Sequence, residues 1–129
     1  MNVADLLNEW HEWLDEPFGS ATAEARRLRR KLHAEEGAEL LDAIDGGDVV
    51  AVARELADVV YVAYGTAHVL GIPLDAVIHE VHVANMRKLS PLGTVTDEDG
   101  KVLKPDGWTP PNIAAVLSDA RRREEARRP

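Results

Sequence analysis

Five carboxylates between residues 35 and 58 lie where two long helical patterns should carry buried apolar side chains. They are Glu35, Glu36, Glu39, Glu55 and Asp58. In the first pattern Leu28 and Leu32 establish an apolar seam at a spacing of four residues. The same seam continues at helical spacing onto the three glutamates, so the stripe that should pack against another helix turns acidic midway.

The second pattern places its two acids beside an apolar stripe. Glu55 and Asp58 are three residues apart, so they are neighbours on a helix surface. The stripe they flank, which we expect to be buried, comprises Val52, Leu56, Val59, Val60, Ala63, Ala67 and Leu70. Carboxylates that converge on a half-buried seam lose hydration and repel one another, so they must take up protons or gather around a cation.

The donor chemistry of this cluster favours a hard divalent cation. Sets of carboxylate oxygens suit Mg²⁺, with Mn²⁺ as a possible substitute. One acidic motif alone is typical of a solvated helix face. Two motifs on consecutive helices joined by a short turn, both beside the apolar stripe, leave a metal site and a solvated face as the two alternatives.

Composition excludes several other functions. The 129 residues contain no cysteine, which rules out disulfides, thiol catalysis and sulfur-ligated metals. No apolar run is long enough to span a bilayer and the N-terminus lacks a signal-peptide pattern, so we expect a soluble, cytoplasmic protein without a membrane partner. Residues 1–120 carry 10 basic and 21 acidic side chains, a balance that argues against binding to nucleic acid.

Hydrophobic periodicity predicts an all-α fold. Helices are expected over about 3–14, 21–44, 49–70 and 72–89, with Asp48 as the N-cap of the third. A loop or short hairpin around Asp99-Gly100 follows, and then a short helix to about residue 120. We expect one domain over 1–120, built as a four-helix-bundle-type core of antiparallel helices, and a charged, frayed tail over 121–129.

Four further side chains are candidates for binding a nucleotide. Trp10 and His11 can stack on a base, although a tryptophan on a helix stripe is more typical of a core and the role of His11 stays open. Arg29 and Lys31 precede the first acidic motif by about one turn, close enough for one of them to reach a phosphate.

Taken together, the motifs resemble those of the all-α nucleoside triphosphate pyrophosphohydrolases, the MazG-like and phosphoribosyl-ATP-pyrophosphohydrolase-like superfamily. The resemblance rests on the two acidic motifs and on a third motif, Asn85-x-x-Lys88, and it covers most of the chain. Within the superfamily the chain is most similar to the small single-domain branch that includes a bacterial dUTP pyrophosphohydrolase.

The resemblance implies a role for each motif. Four carboxylates would bind Mg²⁺: Glu36, Glu39, Glu55 and Asp58. Glu35 would bind a further ion or act as the general base, and the base role agrees with its position about 100° around the helix from Glu36. Phosphate contacts would come from Asn85, Lys88 and Arg29. Contacts to the rest of the nucleotide would come from Trp10, His11 and Tyr64.

The expected activity is Mg²⁺-dependent cleavage of a nucleoside triphosphate, dUTP first, to the monophosphate and pyrophosphate, a house-cleaning reaction of the nucleotide pool. Two alternatives are a phosphoribosyl-ATP pyrophosphohydrolase and a non-catalytic, metal-dependent nucleotide-binding module. A di-iron carboxylate protein is disfavoured because neither acidic motif contains Glu-x-x-His. The helices are too few to cover the apolar stripe and the aromatic side chains, so we expect a homodimer, or a tetramer, whose helices complete the bundle.

Overall fold

The computed structural model of the chain describes residues 2–15, 17–19, 21–89 and 93–129. These residues form five α-helices and no strand, which confirms the predicted all-α class. They divide into two compact units, Met1–Ile72 and Pro73–Pro129. The first unit contains both acidic motifs.

The N-terminal unit is built from three helices: α1 (Val3–Leu14), α2 (Ala23–Gly46) and α3 (Val49–Leu70). A tight turn at Gly47 and Asp48 folds α2 and α3 into an antiparallel hairpin, and α1 packs against α3. The bounds of α1 and α3 agree with the sequence prediction. The long α2–α3 pairing therefore fixes how the two acidic motifs meet.

Local chemistry explains where these helices begin and end. Asp48 Oδ1 accepts a hydrogen bond from Val50 N at 3.0 Å, which confirms the predicted N-cap of α3. Thr22 Oγ1 caps α2 in the same way, by accepting from Ala25 N at 3.0 Å. Gly47 and Gly71 end α2 and α3 with positive φ angles of 74° and 70°, a conformation that favours glycine.

The apolar stripe of α3 is buried only in part. Of its members Ala67 is buried, whereas Leu56 is 49% and Val60 43% exposed, so the prediction that the whole stripe is buried is wrong for the single chain. The reason is the length of its neighbours, because α1 has only 12 residues. It packs against α3 near the C-terminal end of that helix, where the ring of His11 meets that of His68.

The C-terminal unit contains α4 (Leu74–Met86) and α5 (Ile113–Arg127). Glu80 Oε1 accepts a hydrogen bond from Asn112 N at 3.0 Å, which ties the start of α5 to α4. At the predicted hairpin, residues 96 and 102 form one isolated antiparallel bridge rather than strands. The fourth helix ends at Met86, about three residues before its predicted end.

The last helix continues beyond its predicted end. The frayed tail expected from residue 121 is instead helical through Arg127. Charge pairs one helical turn apart accompany this extension: Arg122 bonds to Asp119, and Arg128 Nη2 lies 3.7 Å from Glu124 Oε1. Such pairs favour helix in a segment without an apolar face.

No single described helix is both long and apolar enough to cross a membrane. Length and composition suffice only when Val49–Leu70 and Leu74–Met86 are counted together across the break between them.

Candidate active site

The antiparallel pairing of α2 and α3 determines which side chains of the two helices face each other. Near one end of the interface the guanidinium of Arg29 lies against Gly65. Two helical turns further along α2, Glu36 and Glu39 face Glu55 and Asp58. The side of α2 that faces α3 therefore carries a cationic group first and carboxylates two turns further along.

Three of the predicted metal ligands converge. Glu36, Glu39 and Glu55 each offer a carboxylate oxygen, and these oxygens all lie within 4.8 Å of one another. Asp58 is close enough to act electrostatically on Glu36 and Glu55. We name these four carboxylates the acidic cluster; sequence spacing predicted that they meet, and the α2–α3 register brings them together.

Two members of the acidic cluster, Glu36 and Glu55, have raised pKa values. Burial raises the pKa of Glu36, and the charges of Glu39, Asp58 and Glu55 raise it further. Burial is also the main cause of the raised pKa of Glu55, followed by the nearby charge of Glu39 and a hydrogen bond to it. Desolvation and like charges both disfavour the ionised form, so the cluster is unfavourable without a proton or a cation.

Two carboxylate oxygens of the acidic cluster are buried without a hydrogen-bond partner among the described residues. Glu36 Oε2 and Glu55 Oε2 are buried and accept no hydrogen bond from any residue that the structure describes. Buried polar atoms normally have a partner, so these two oxygens require one that the described chain does not supply. A divalent cation fits the donor set, because Mg²⁺ and Mn²⁺ bind carboxylate oxygens.

Glu35 lies outside this group of oxygens. Its side chain is half-exposed, and Oε1 is 3.8 Å from Lys31 Nζ on the next turn of α2. A surface pair of this kind is weak, so Lys31 leaves the carboxylate available to solvent. The position agrees with a proton acceptor beside the acidic cluster, and the choice between general base and additional ligand remains a prediction.

A cavity of about 620 Å³ opens in the N-terminal unit beside Arg29. Its volume falls in the range of small-molecule sites, roughly 300–1,000 Å³. The lining is mainly apolar and aromatic, with two charged residues: Trp10, His11, Leu14, Asp15, Pro17, Leu28, Arg29, Leu32, Tyr61, Val62 and Gly65. The cavity can accommodate a planar ring, and the side chain of Arg29 lies in its lining.

Of the three predicted nucleotide-binding residues, Trp10 and His11 line this cavity and Tyr64 does not. Trp10 is 48% exposed and meets Tyr61 edge-on at 6.0 Å, so the general expectation of a core tryptophan is wrong here. His11 is only 4% exposed, and one face of its ring stacks on His68 at 4.1 Å. Tyr64 is half-buried on α3, outside the described lining of the cavity. Nucleotide contacts by these three residues remain predictions.

Asn85 and Lys88 belong to the C-terminal unit. Asn85 is exposed in the last turn of α4, and Lys88 follows the helix, with its N–H donating to the Asn85 carbonyl at 3.0 Å. The two residues therefore remain one turn apart, as predicted. Phosphate binding by either one is still a prediction.

Sequence reasoning missed two contacts that hold the site together. His33 Nε2 lies 2.7 Å from Thr66 Oγ1, which links α2 to α3. Gly65 gives the guanidinium of Arg29 its space, because an added Cβ would lie 2.8 Å from Arg29 Nη1. The sequence did contain a signal for the second contact, namely a glycine inside a helical pattern. Glycine is unfavourable inside a helix, so its presence there often indicates that another group packs closely against the backbone.

Comparison with known proteins identifies the family. A family model described as phosphoribosyl-ATP pyrophosphohydrolase matches residues 5–85, which is more than half of the chain. The chain belongs to this family. A search of curated proteins returned no match. The phosphoribosyl-ATP pyrophosphohydrolase family is part of the MazG-like all-α superfamily, so membership indicates a hydrolase that cleaves a nucleotide pyrophosphate bond.

The matched segment contains the whole α2–α3 hairpin and ends at Asn85. It therefore includes the acidic cluster, Arg29 and the cavity. The assignment to a dUTP branch is not supported by this match, which favours the phosphoribosyl-ATP alternative.

Replacing Gly65 by alanine tests whether the position of Arg29 matters. The new methyl group would displace the guanidinium, so we expect kcat/KM to fall about tenfold if Arg29 binds phosphate. Folding should not suffer, because alanine is preferred over glycine inside a helix by roughly 0.5–1 kcal/mol. Gly37→Ala is the matched control, since a Cβ there meets nothing within 4 Å. Equal kcat/KM in both variants would contradict a role for Arg29.

The raised pKa values of Glu36 and Glu55 predict how metal-free stability depends on pH. The ordinary pKa of a glutamate is 4.5, and both pKa values in the folded protein lie above it. At pH values between 4.5 and the folded pKa values, the folded state therefore binds more protons than the unfolded state. The free energy of unfolding should therefore decrease as pH rises from about 4.5 through the folded pKa values. Chemical denaturation in EDTA across this range measures the slope. Glu36→Gln should flatten it, and an unchanged slope in that variant would contradict the assignment.

Proposed function

We propose that this protein is a Mg²⁺-dependent nucleotide pyrophosphohydrolase with phosphoribosyl-ATP as its substrate. The observation that carries the proposal is the family match over residues 5–85, which contains the converging carboxylates of α2 and α3. The reaction adds water across the bond between the α and β phosphates and releases pyrophosphate and a monophosphate. The hypothesis that dUTP is the substrate has no comparable support, so dUTP is used as the competing substrate in the test.

The acidic cluster and the cavity beside Arg29 suggest a role for each predicted site residue. Glu36, Glu39, Glu55 and Asp58 would hold the cation, which supplies positive charge to offset the charge on phosphate oxygens. Glu35 would take the proton of the attacking water from its half-exposed position beside the cluster. Arg29 would bind a phosphate oxygen through its guanidinium, and the aromatic side of the cavity would hold the base.

A substrate panel tests the proposal. The purified protein with Mg²⁺ would be given phosphoribosyl-ATP, dUTP and the common nucleoside triphosphates, and pyrophosphate would be measured by adding inorganic pyrophosphatase and detecting orthophosphate. We expect the highest kcat/KM for phosphoribosyl-ATP. Higher values for dUTP would restore the alternative substrate, and tight binding without pyrophosphate release would favour a non-catalytic nucleotide-binding module.

We also propose that the protein assembles as a homodimer. Four large aliphatic side chains are exposed around the α2–α3 turn: Leu41, Ile44, Val49 and Val50, the last two by 79% and 78%. Large aliphatic side chains exposed close together in the chain favour a protein interface. Light scattering at micromolar concentration should give twice the mass of the 14.2 kDa chain.

Val50→Asp should lower the mass found by light scattering, because it would bury a charge in the interface. Val95→Asp, at an exposed valine in the C-terminal loop, is the control and should leave the dimer intact. A wild-type monomer would contradict the proposal, and a tetramer would extend it.

A further inference from the structure

Asp15 occupies a position at which the helices of this fold otherwise carry glycine. It is the C-cap of α1, and its φ angle of 52° is the one positive φ angle of a non-glycine residue in the described part of the chain. Gly47 and Gly71 hold the same position at the ends of α2 and α3. The left-handed conformation costs an aspartate more than a glycine, and the carboxylate lies at the negative end of the helix dipole.

No contact of the Asp15 side chain offsets these costs. Its carboxylate forms no hydrogen bond and no ion pair with any residue that the structure describes. The cap itself uses only the backbone, since the Asp15 N–H donates to the carbonyls of Glu12 and His11. A residue that is unfavourable for the fold and has no partner in it is a candidate for a role in binding a ligand.

Asp15 supplies the one carboxylate in the described lining of the cavity beside Arg29. Trp10 and Tyr61 line the same cavity, and both of these aromatic side chains are partly exposed. Asp15 follows Trp10 by five residues, roughly 7.5 Å along the axis of α1, a spacing that one substituted bicyclic ring can bridge. A carboxylate and the faces of aromatic rings both attract a cation.

The charges in this lining match a ligand that is itself charged at two places. The cavity offers the Asp15 carboxylate and the Arg29 guanidinium, and these two groups do not form an ion pair with each other. A nucleotide with a cationic base carries both complementary charges, because its phosphates are anionic. Adenine alkylated at N1 is such a base, since the ring is an amidinium ion at neutral pH. Phosphoribosyl-ATP carries its second ribose at N1, whereas the uracil of dUTP is neutral.

We propose that Asp15 selects nucleotides with a positively charged base, by binding the cationic ring in the cavity beside Arg29. The ligand class is an adenine nucleotide substituted at N1, and a neutral base would leave the carboxylate without a counter-charge. The inference deepens the proposed function and rests on it for the presence of a nucleotide in this cavity. Asp15 belongs to none of the three sequence motifs, and all the groups involved lie in the N-terminal unit.

Calorimetric titration with nucleoside monophosphates tests this selection without turnover, because a monophosphate has no pyrophosphate bond to cleave. The full-length protein with Mg²⁺ should bind 1-methyladenosine monophosphate about tenfold more tightly than adenosine monophosphate, through a charge-assisted contact. It should show the same preference over 1-methylinosine monophosphate, which has the methyl group on a neutral ring. Equal Kd values for the three ligands, or no binding of any of them, would overturn the proposal.

Asp15→Asn should remove most of this preference. Asparagine keeps the shape of the side chain and tolerates a positive φ angle, and loss of a charge at the negative end of the helix dipole should not lower Tm. Weaker binding of the cationic ligand would therefore not come from unfolding. An unchanged preference in Asp15→Asn would overturn the proposal.

Glu12→Gln is the matched control, since Glu12 is an exposed acid of α1 three residues before Asp15. Glu12 lines a second cavity, of about 540 Å³, to which Asp15 also contributes, but it does not line the cavity beside Arg29. The preference for 1-methyladenosine monophosphate should survive in this variant. An equal loss in both variants would mean that the net charge of -8 attracts the cation, and it would overturn the role of Asp15.

Turnover measurements distinguish failure of this selection from failure of the proposed function. With phosphoribosyl-ATP and Mg²⁺, Asp15→Asn should lower kcat/KM about tenfold, mainly through a higher KM. If no nucleotide is cleaved but the preference for 1-methyladenosine monophosphate still depends on Asp15, the selection stands and the proposed function fails. If phosphoribosyl-ATP is cleaved and Asp15→Asn behaves as Glu12→Gln does, the selection fails and the function stands.

Discussion

Replacing Glu39 by glutamine is expected to remove most of the thermal stabilisation that Mg²⁺ gives to this protein and to reduce pyrophosphate release at least a hundredfold. The carboxylate of Glu39 lies near that of Glu36 on the same helix and near that of Glu55 on α3. A ligand that binds only the folded state stabilises it by mass action, by about 2.7 kcal/mol at a hundred times Kd. Loss of a central ligand raises Kd and removes that gain.

Thermal unfolding with and without Mg²⁺ measures the effect of Glu39→Gln. Without metal the variant should be at least as stable as the wild type, because one of the mutually repelling carboxylates is gone. Glu24→Gln is the control: it removes an exposed acid of α2 that lies outside the acidic cluster, and its Mg²⁺ shift should match the wild type. Equal Mg²⁺ shifts in wild type and Glu39→Gln would mean that the acidic cluster is a solvated face.

Glu35→Gln is expected to lower kcat a hundredfold or more and to leave Mg²⁺-dependent nucleotide binding largely intact. Loss of a general base typically costs between a hundredfold and ten-thousandfold in rate, roughly 10²–10⁴. The amide keeps the size of the side chain but cannot accept the proton. Because Glu35 lies outside the converging oxygens of Glu36, Glu39 and Glu55, the metal-dependent stabilisation should survive.

Steady-state kinetics and binding of a non-hydrolysable nucleotide separate these effects. Lys31→Gln is the control, since it removes the ion pair of Glu35 and should change kcat only slightly. An unchanged kcat in Glu35→Gln would exclude the base role. A loss of the Mg²⁺ shift as large as that of Glu39→Gln would make Glu35 a metal ligand instead.

Sequence periodicity predicted the helices and the meeting of the acids because both depend on local rules. Caps such as Asp48 and Gly71 fix the ends of α3 within the chain itself. Residues three and four positions apart share a face, and a two-residue turn leaves the hairpin one antiparallel register. Convergence of Glu39 and Glu55 follows from those two facts.

Contacts between distant segments were beyond sequence reasoning. Trp10 and His11 are neighbours in the chain, yet only the histidine is buried, because its ring stacks on His68 of α3. Nothing in the α1 pattern contains that information. The same applies to Trp108, whose indole N–H bonds to a carbonyl of α4 and whose two lysine neighbours are far from each other in the sequence.

The position of isotope incorporation tests the central claim, hydrolysis between the α and β phosphates, most directly. The protein would be incubated with Mg²⁺ and phosphoribosyl-ATP in ¹⁸O-labelled water, and the products would be resolved by mass spectrometry. The account predicts two products, a monophosphate and intact pyrophosphate, with one ¹⁸O atom in the monophosphate for attack at the α phosphorus or in pyrophosphate for attack at the β phosphorus. Release of labelled orthophosphate from the intact triphosphate would contradict it.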